Sequence, residues 1–330
     1  MNAWRKGRGT LNRGGTGMKI LISDKSSPKC AELLRGAGHE VDEIIGLSPQ
    51  ELKEIINKYD GLIVRSATKV TADIIEAATK LKVIGRAGTG VDNIDVKAAT
   101  AHDIVVMNTP GGNSNAVAEL VLAHMFALAR DFYNAVSSLK EERWEKKKFK
   151  GFELSGKQLG LLGYGRVSRL VAEKAMALGM HVKCFDPKIR KNLVDENGVQ
   201  LTFSLEEVLS TSDFLSVHLT KREETVNFIA KPQFQLMKEG VFFVNCSRGG
   251  IVNETDLLWA LENDIVRAAA LDIYEKEPPE DFTLIHHSRV ICTPHIGAST
   301  HEAQEKVAVM IAQQFIDMFE GKEIRNAVNR

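Results

Sequence analysis

The sequence predicts an α/β protein of two doubly wound parallel-sheet domains, and three observations carry that prediction. The chain has 330 residues, about twice the length of an ordinary single domain. Short β-branched apolar runs alternate with amphipathic helical patterns from Met18 onward, and a second such series begins after a charged stretch at 140–150. Uninterrupted apolar runs of this kind read as strands buried on both faces, with the intervening helices as crossovers. The second series also opens on a glycine turn that joins a strand to a helix.

In the first series the strands are read in "KILISD", "HEVDEI", "GLIVRS", "KVIGRAG" and "IVVMN", separated by the helical patterns "PKCAELLRGAG", "SPQELKEIINK" and "TADIIEAATK". One long helix is expected from about Ser114 to Leu139, with Val117, Leu120, Val121, His124 and Leu128 at helical spacing; it reads as a connector and a candidate subunit interface. The charged stretch around Trp144 reads as solvated surface. The second series runs through "KQLGLLGYG", a helix at Arg166–Leu178, "HVKCFD", "DFLSVHL", "GVFFVNCS", a helix around Glu254–Glu262, "RAAALDIY" and "RVICTPH". A last helix at Glu302–Glu320 leaves only the tail "GKEIRNAVNR". Residues 1–17 carry Arg5, Lys6, Arg8 and Arg13 with no acid, and are expected to be a disordered leader or an upstream start before Met18.

Composition narrows the function classes. The 43 basic and 43 acidic side chains cancel, so nothing invites nucleic acid electrostatically. The longest apolar stretch, Ala116–Ala129, is interrupted by Glu119 and His124 and is too short to span a bilayer, so no membrane partner is expected. The four cysteines, Cys30, Cys184, Cys246 and Cys292, lie far apart with no CxxC pair, which suggests a reducing, cytoplasmic compartment and no metal.

The segment "LGLLGYGRVSRLVAEKAMALGMHVKCFD" has the order of a dinucleotide site: strand, glycine turn, helix, strand, acid. Gly163 permits the tight turn, and Gly165 lets the backbone approach a pyrophosphate at the helix N-terminus. Asp186, 23 positions after Gly163, stands where a carboxylate hydrogen-bonds the ribose of NAD. The third glycine of this fingerprint is Ser168 here.

Three later segments follow apolar runs and so belong at carboxyl ends of strands: "NCSRGG" with Arg248, "LDIYEKEPP" with Asp272 and Glu277, and "CTPHIGAST" with His295. Oxidising an alcohol needs a base for the hydroxyl proton, and histidine titrates in the right range. A neighbouring carboxylate stabilises the imidazolium, and arginine grips a substrate carboxylate in a planar fork.

The strings "VRSATKVTADII", "GRAGTGVDNID", "MNTPGGNS", "ERWEKKKF", "NCSRGGIV", "ALDIYEKEPP" and "PHIGAST" make the sequence resemble the D-isomer-specific 2-hydroxyacid dehydrogenases from Met18 to Asn329, most nearly the branch that oxidises 3-phosphoglycerate. The resemblance implies a Rossmann-type cofactor domain (110–299) inserted into a discontinuous flavodoxin-like substrate domain (18–109 and 300–330), and an NAD-dependent first step of serine biosynthesis. It implies Arg248, Glu277 and His295 as the catalytic trio. Arg166 and Val167 would hold the pyrophosphate, with Thr89, Cys246, Ser247, Asp272, Ile296, Gly297 and Ala298 as further cofactor contacts. Arg65, Ser66, Arg86, Gly88 and Asn108 would face the cleft and take the carboxylate and phosphate of the substrate. A homodimer is implied, with Lys146 reaching towards a neighbouring site. Two further departures, Leu219 in place of a polar cofactor contact and Ala268 where glycine is common, are expected to touch the cofactor site together with Ser168. Longer members continue into regulatory domains, so feedback inhibition through such domains is not expected for a chain stopping at Arg330. A glyoxylate or hydroxypyruvate reductase, or a catalytically idle NAD-sensing protein on the same fold, are the alternatives.

Overall fold

The computed structural model describes residues 17–330, so the leader expectation, apart from Gly17, lies outside the described residues. The described chain divides into two compact units, residues 17–113 with His301–Arg330, and Ser114–Thr300. Each division falls one to four residues beyond the expected boundaries, at the first residue of a long helix or just before it.

The first unit is built on β1 (Lys19–Ile22), α1 (Pro28–Gly36), β2 (Glu40–Glu43), α2 (Pro49–Ile55), β3 (Gly61–Val64), α3 (Ala72–Ala77), β4 (Val83–Arg86), α4 (Val96–Ala101) and β5 (Val105–Met107). Its five strands are parallel in the order β2-β1-β3-β4-β5, the flavodoxin-like arrangement. The inner strands β1, β3 and β4 are mostly apolar because both faces are covered, whereas the edge strand β2 (EVDE) buries only Val41. Ile20, Ile22 and Ile63 pack with α1 and the chain's last helix, His301–Phe319, whereas Leu21, Leu62 and Val64 pack with α2, α3 and α4. The last helix lies so close to the sheet that a Cβ on Gly85 would sit 2.4 Å from the Phe315 ring. Sequence-local signals fix the helix starts: Ser48 and Glu51 form a reciprocal capping box ahead of α2, with Pro49 in its first turn.

The polar tail after the last helix does more than end the chain. Val328 N donates to Val106 O at 2.9 Å, and the Asn329 side chain accepts from Val106 N at 3.0 Å while donating to Ile104 O at 2.9 Å and Thr100 Oγ1 at 3.1 Å. The tail therefore occupies the free edge of β5, which would otherwise present unpaired backbone.

The second unit comprises α5 (Ser114–Arg130), α6 (Phe132–Lys140), β6 (Gln158–Leu162), α7 (Arg166–Ala177), β7 (His181–Phe185), β8 (Leu193–Val194), β9 (Gln200–Thr202), α8 (Leu205–Thr211), β10 (Phe214–Val217), α9 (Lys231–Gln235), β11 (Val241–Asn245), α10 (Glu254–Glu262), β12 (Val266–Leu271) and β13 (Val290–Cys292). Its sheet runs β13-β12-β11-β10-β6-β7-β9-β8 and is parallel except for the β8–β9 pair. The order reverses at β6, which places a ligand crevice at the carboxyl ends of β6 and β10. Two apolar clusters cover the two faces, one around Leu215, Val217 and Phe243, the other around Leu161, Phe214 and Val244.

The expected single helix from Ser114 to Leu139 is two helices. Asp131 adopts the left-handed conformation (φ 47°, ψ 44°) between α5 and α6, and its carboxylate accepts from Asn134 Nδ2 at 2.7 Å. Asp is among the few residues that tolerate this backbone, so the break costs little here. Among the described residues no helix is long and apolar enough to cross a membrane.

Candidate active site

The glycine turn is where the chain needs glycine most. Gly163 follows β6 with φ +103°, and a Cβ there would lie 2.8 Å from the carbonyl carbon and oxygen of His218. Gly165 is the N-cap of α7 and gives it no side-chain cap, and the position of its absent Cβ faces open space. The first-turn amides, those of Arg166 and Val167 among them, are thus available to an anion. At the end of β7 the Asp186 carboxylate accepts from Tyr164 N at 2.8 Å and Lys188 N at 2.9 Å, which ties the acid to the glycine turn. An open turn, an uncapped helix start and an acid at the next strand end fit a dinucleotide.

The three departures from the fingerprint separate here. Ser168 is fully buried in the first turn of α7, with its hydroxyl on the Cys184 thiol of β7. Leu219 packs its side chain into the core around Val217 and Phe243 and is 6% exposed, while its backbone nitrogen lies 3.0 Å from where a Cβ on Gly163 would sit, so it adjoins the glycine turn. Ala268 pairs with Phe242 near the amino end of β12, four residues before the site at Asp272, which corresponds to roughly 13 Å of strand. It lines a separate cavity with Arg267 and Phe152 and does not touch the cofactor turn.

The loops after β11, β12 and β13 hold the proposed chemistry. After β11, Asn245 Oδ1 accepts from Ser247 N at 3.1 Å and Ser247 Oγ at 2.9 Å, and Arg248 Nη1 donates to Ser247 O at 2.7 Å. Gly249 lies against the next loop so tightly that a Cβ would meet Tyr274 O at 1.6 Å, so only glycine admits this approach. In that next loop, Glu277 Oε1 accepts from Tyr274 N at 3.1 Å, and its Oε2 meets His295 Nδ1 at 2.6 Å. His295 itself is left-handed (φ 51°), a strained setting for a non-glycine residue and one typical of working sites.

What holds His295 there is Asp272, which is 1% exposed. Its carboxylate accepts from Thr293 Oγ1 at 2.6 Å and from the amides of Ile296 and Gly297, both at 2.8 Å. Tyr274 adds a hydrogen bond to Thr293 O at 2.9 Å. Cys246 packs on His124 of α5, with Sγ 3.5 Å from Nδ1, and burial pushes the thiol well up, so it stays protonated.

The electrostatics suit a proton acceptor. The hydrogen bond to Glu277 raises the His295 pKa; burial and the Arg248 charge oppose it, and the charges of Glu277 and Asp272 reinforce it. Burial alone would raise Glu277, but the His295 hydrogen bond and charge, the Tyr274 amide and Arg248 outweigh it and hold the carboxyl below its usual value. The pair is therefore poised as carboxylate with imidazole or imidazolium.

Arg65, Ser66, Arg86, Gly88, Thr89 and Asn108 all lie in the first unit, at or just after the carboxyl ends of β3, β4 and β5. Val64 pairs with Arg86, so Arg65 follows one residue beyond the level of Arg86 on the neighbouring strand. Asn108 Nδ2 donates to Thr89 O at 2.6 Å, and Thr89 Oγ1 to Asn113 at 2.8 Å. The other cofactor candidates and the trio lie in the second unit. Tyr274 and Thr293 were missed in the sequence, their only signal being their place within "ALDIYEKEPP" and beside "PHIGAST".

Residues 122–297 match the D-isomer specific 2-hydroxyacid dehydrogenase NAD binding domain, more than half of the chain. The chain belongs to the D-isomer specific 2-hydroxyacid dehydrogenase family. This dehydrogenase-family chain is 47% identical over 313 residues to D-3-phosphoglycerate dehydrogenase of Archaeoglobus fulgidus, covering 94% of this chain and 59% of that protein. It is 48% identical over 311 residues to D-3-phosphoglycerate dehydrogenase of Homo sapiens, covering 94% and 58%. The chain thus spans under two thirds of the length of these curated relatives. The NAD+-bound 3-phosphoglycerate dehydrogenase structure from Entamoeba histolytica superposes with a TM-score of 0.81 at 32% identity, covering 96% of this chain and 99% of that one.

Proposed function

We propose that this protein oxidises D-3-phosphoglycerate to 3-phosphohydroxypyruvate with NAD, the first step of serine synthesis, as a cytoplasmic homodimer. The observation that carries the reading is the 2.6 Å pairing of His295 with Glu277 at the strand ends of an NAD-binding domain. Because Nδ1 is held by Glu277, Nε2 is the atom left to take the proton from the C2 hydroxyl. Bound NAD supplies the acceptor for the hydride from C2. Arg248 grips the substrate carboxylate and steadies the carbonyl that forms, and Glu277 stabilises the imidazolium until the proton leaves to solvent. Asp272 acts on the site through the loop amides it holds, and Asp186 faces the adenosine ribose, where its charge disfavours a 2′-phosphate. Arg65 and Arg86, leaving neighbouring strands, supply the two guanidinium groups that a doubly charged phosphate favours.

The dimer is supported by α6 and the segment after it, which expose Phe132, Tyr133, Leu139 and Trp144, the last 81% exposed. Large apolar side chains exposed along one short helix and the segment after it are the kind of surface that a second subunit covers. A reducing compartment is supported by four cysteines, none of them paired in a disulfide.

The test is NADH production on adding NAD with D-3-phosphoglycerate, D-glycerate or D-lactate separately. Turnover of phosphoglycerate in clear preference supports the reading. Turnover of D-glycerate alone would point to a reductase of the same family, and NADH binding without any turnover to an NAD-sensing protein.

A further inference from the structure

Just beyond β1 lies a carboxylate that no catalytic argument uses. Asp24 is 5% exposed, and every hydrogen bond it accepts comes from one loop, residues 65–68. Its oxygens take the amides of Arg65 at 2.6 Å, Ala67 at 3.2 Å and Thr68 at 3.1 Å, and the Thr68 hydroxyl at 2.6 Å. Asn93 holds the same loop by its carbonyls, Nδ2 donating to Arg65 O at 2.9 Å and Thr68 O at 2.6 Å. Ser23 Oγ lies 3.0 Å from Thr68 Oγ1, and Arg65 Nη1 donates to Lys25 O at 2.9 Å.

A buried charge is costly unless several donors replace its water, so this arrangement makes one loop geometry far more favourable than its neighbours. Three of the four amides in residues 65–68 are spent on Asp24. The fourth, Ser66 N, and the Ser66 hydroxyl take part in no hydrogen bond among the described residues, and Ser66 is exposed. The backbone of the loop is thus tied down around Ser66, whose amide and hydroxyl stay open to solvent beside the Arg65 side chain.

We propose that Asp24, braced by Asn93 and Thr68, is a positioning residue that locks residues 65–68 so that the Arg65 side chain and the Ser66 amide and hydroxyl receive the phosphate group of the substrate. The identity of that group rests on the phosphoglycerate reading above. Asp24 touches no reacting atom; it sets the geometry of those that bind.

Asp24→Asn places an amide N–H₂ against donors and should release the loop. Thr68→Val removes the hydroxyl that donates to Asp24 and meets Ser23 at nearly constant shape, and Thr68→Ser restores it. The measurement is steady-state kinetics of the full chain on D-3-phosphoglycerate and D-glycerate, with NADH titration and thermal melting of each variant. The expected result is a KM for phosphoglycerate raised about tenfold or more in Asp24→Asn and about threefold in Thr68→Val, near the original in Thr68→Ser, with kcat and NADH affinity within about twofold. The KM for D-glycerate should move far less. An unchanged KM, or equal losses in KM, kcat and NADH binding that track melting temperature, would overturn the proposal. If Asp24→Asn does not fold, the Thr68 pair decides by the same criteria. If the unmodified protein turns over another 2-hydroxy acid and no phosphoglycerate, the functional reading fails on its own. The KM of the variants for that acid then decides the positioning role, a selective rise upholding it for a different anionic group and no rise ending it.

Discussion

His295 combines a strained backbone, a 2.6 Å carboxylate partner and half-exposed imidazole, which together describe a base that must stay reachable by substrate while being held in one orientation. His295→Asn should abolish most turnover and leave NADH affinity nearly intact, since the imidazole acts in the proton transfer; fluorescence titration alongside turnover separates the two. Glu277→Gln should act through pH. Glu277 raises the His295 pKa, and oxidation needs the imidazole neutral, so activity is lost as pH falls through that pKa. Removing the anion lowers the pKa and moves the acidic limb of the kcat/KM profile to lower pH. An unmoved limb would make Glu277 a structural residue. At this scale the sequence exposed the types and the strand-end placement of Arg248, Glu277 and His295, but the choice of Glu277 over Asp272 as the partner carboxylate came from the family resemblance alone. What separates them is three-dimensional: Asp272 spends both oxygens on loop donors, and that is invisible until the loop folds back on it.

Among the elements, α7 carries a departure worth testing. Ser168 is buried with its hydroxyl on the Cys184 thiol, a weak hydrogen-bond partner, so alanine gives up little and adds no bulk. Ser168→Ala should therefore leave the melting temperature within a few degrees and NADH affinity within about threefold; a large loss of either would mean that the hydroxyl is needed. The inner strands were legible because burial on both faces makes them apolar runs, β2 and β7 because an apolar residue still marks the covered face, and α7 because a glycine turn precedes it. The break at Asp131 was not, since apolar spacing continues across it and the left-handed residue is neither glycine nor proline. The β8 and β9 strands were also missed, being two and three residues long with Leu193 and Val194 exposed. The tail escaped for the opposite reason: its grip on β5 runs through the backbone and an asparagine, which leave no apolar pattern. Asn329→Ala deletes three hydrogen bonds at that edge and should cost about 1–3 kcal/mol, read in a urea melt; no loss would show the tail to be dispensable.

The molecule as a whole presents two parallel sheets, each gathering its polar residues at the carboxyl ends of its strands, one with an uncapped helix start and a His–Glu pair, the other with Arg65 and Arg86 on adjacent strands. The central claim is the proposed one, that Arg65 and Arg86 recognise the phosphate of D-3-phosphoglycerate. The most direct test compares kcat/KM on D-3-phosphoglycerate and on D-glycerate for the protein and for its Arg65→Ala and Arg86→Ala variants. The account predicts a strong preference for phosphoglycerate, and a loss of about 10- to 150-fold on that substrate alone when either arginine is removed, the worth of a hydrogen bond to a charged group. Equal losses on the two substrates, or no preference in the unmodified protein, would contradict it.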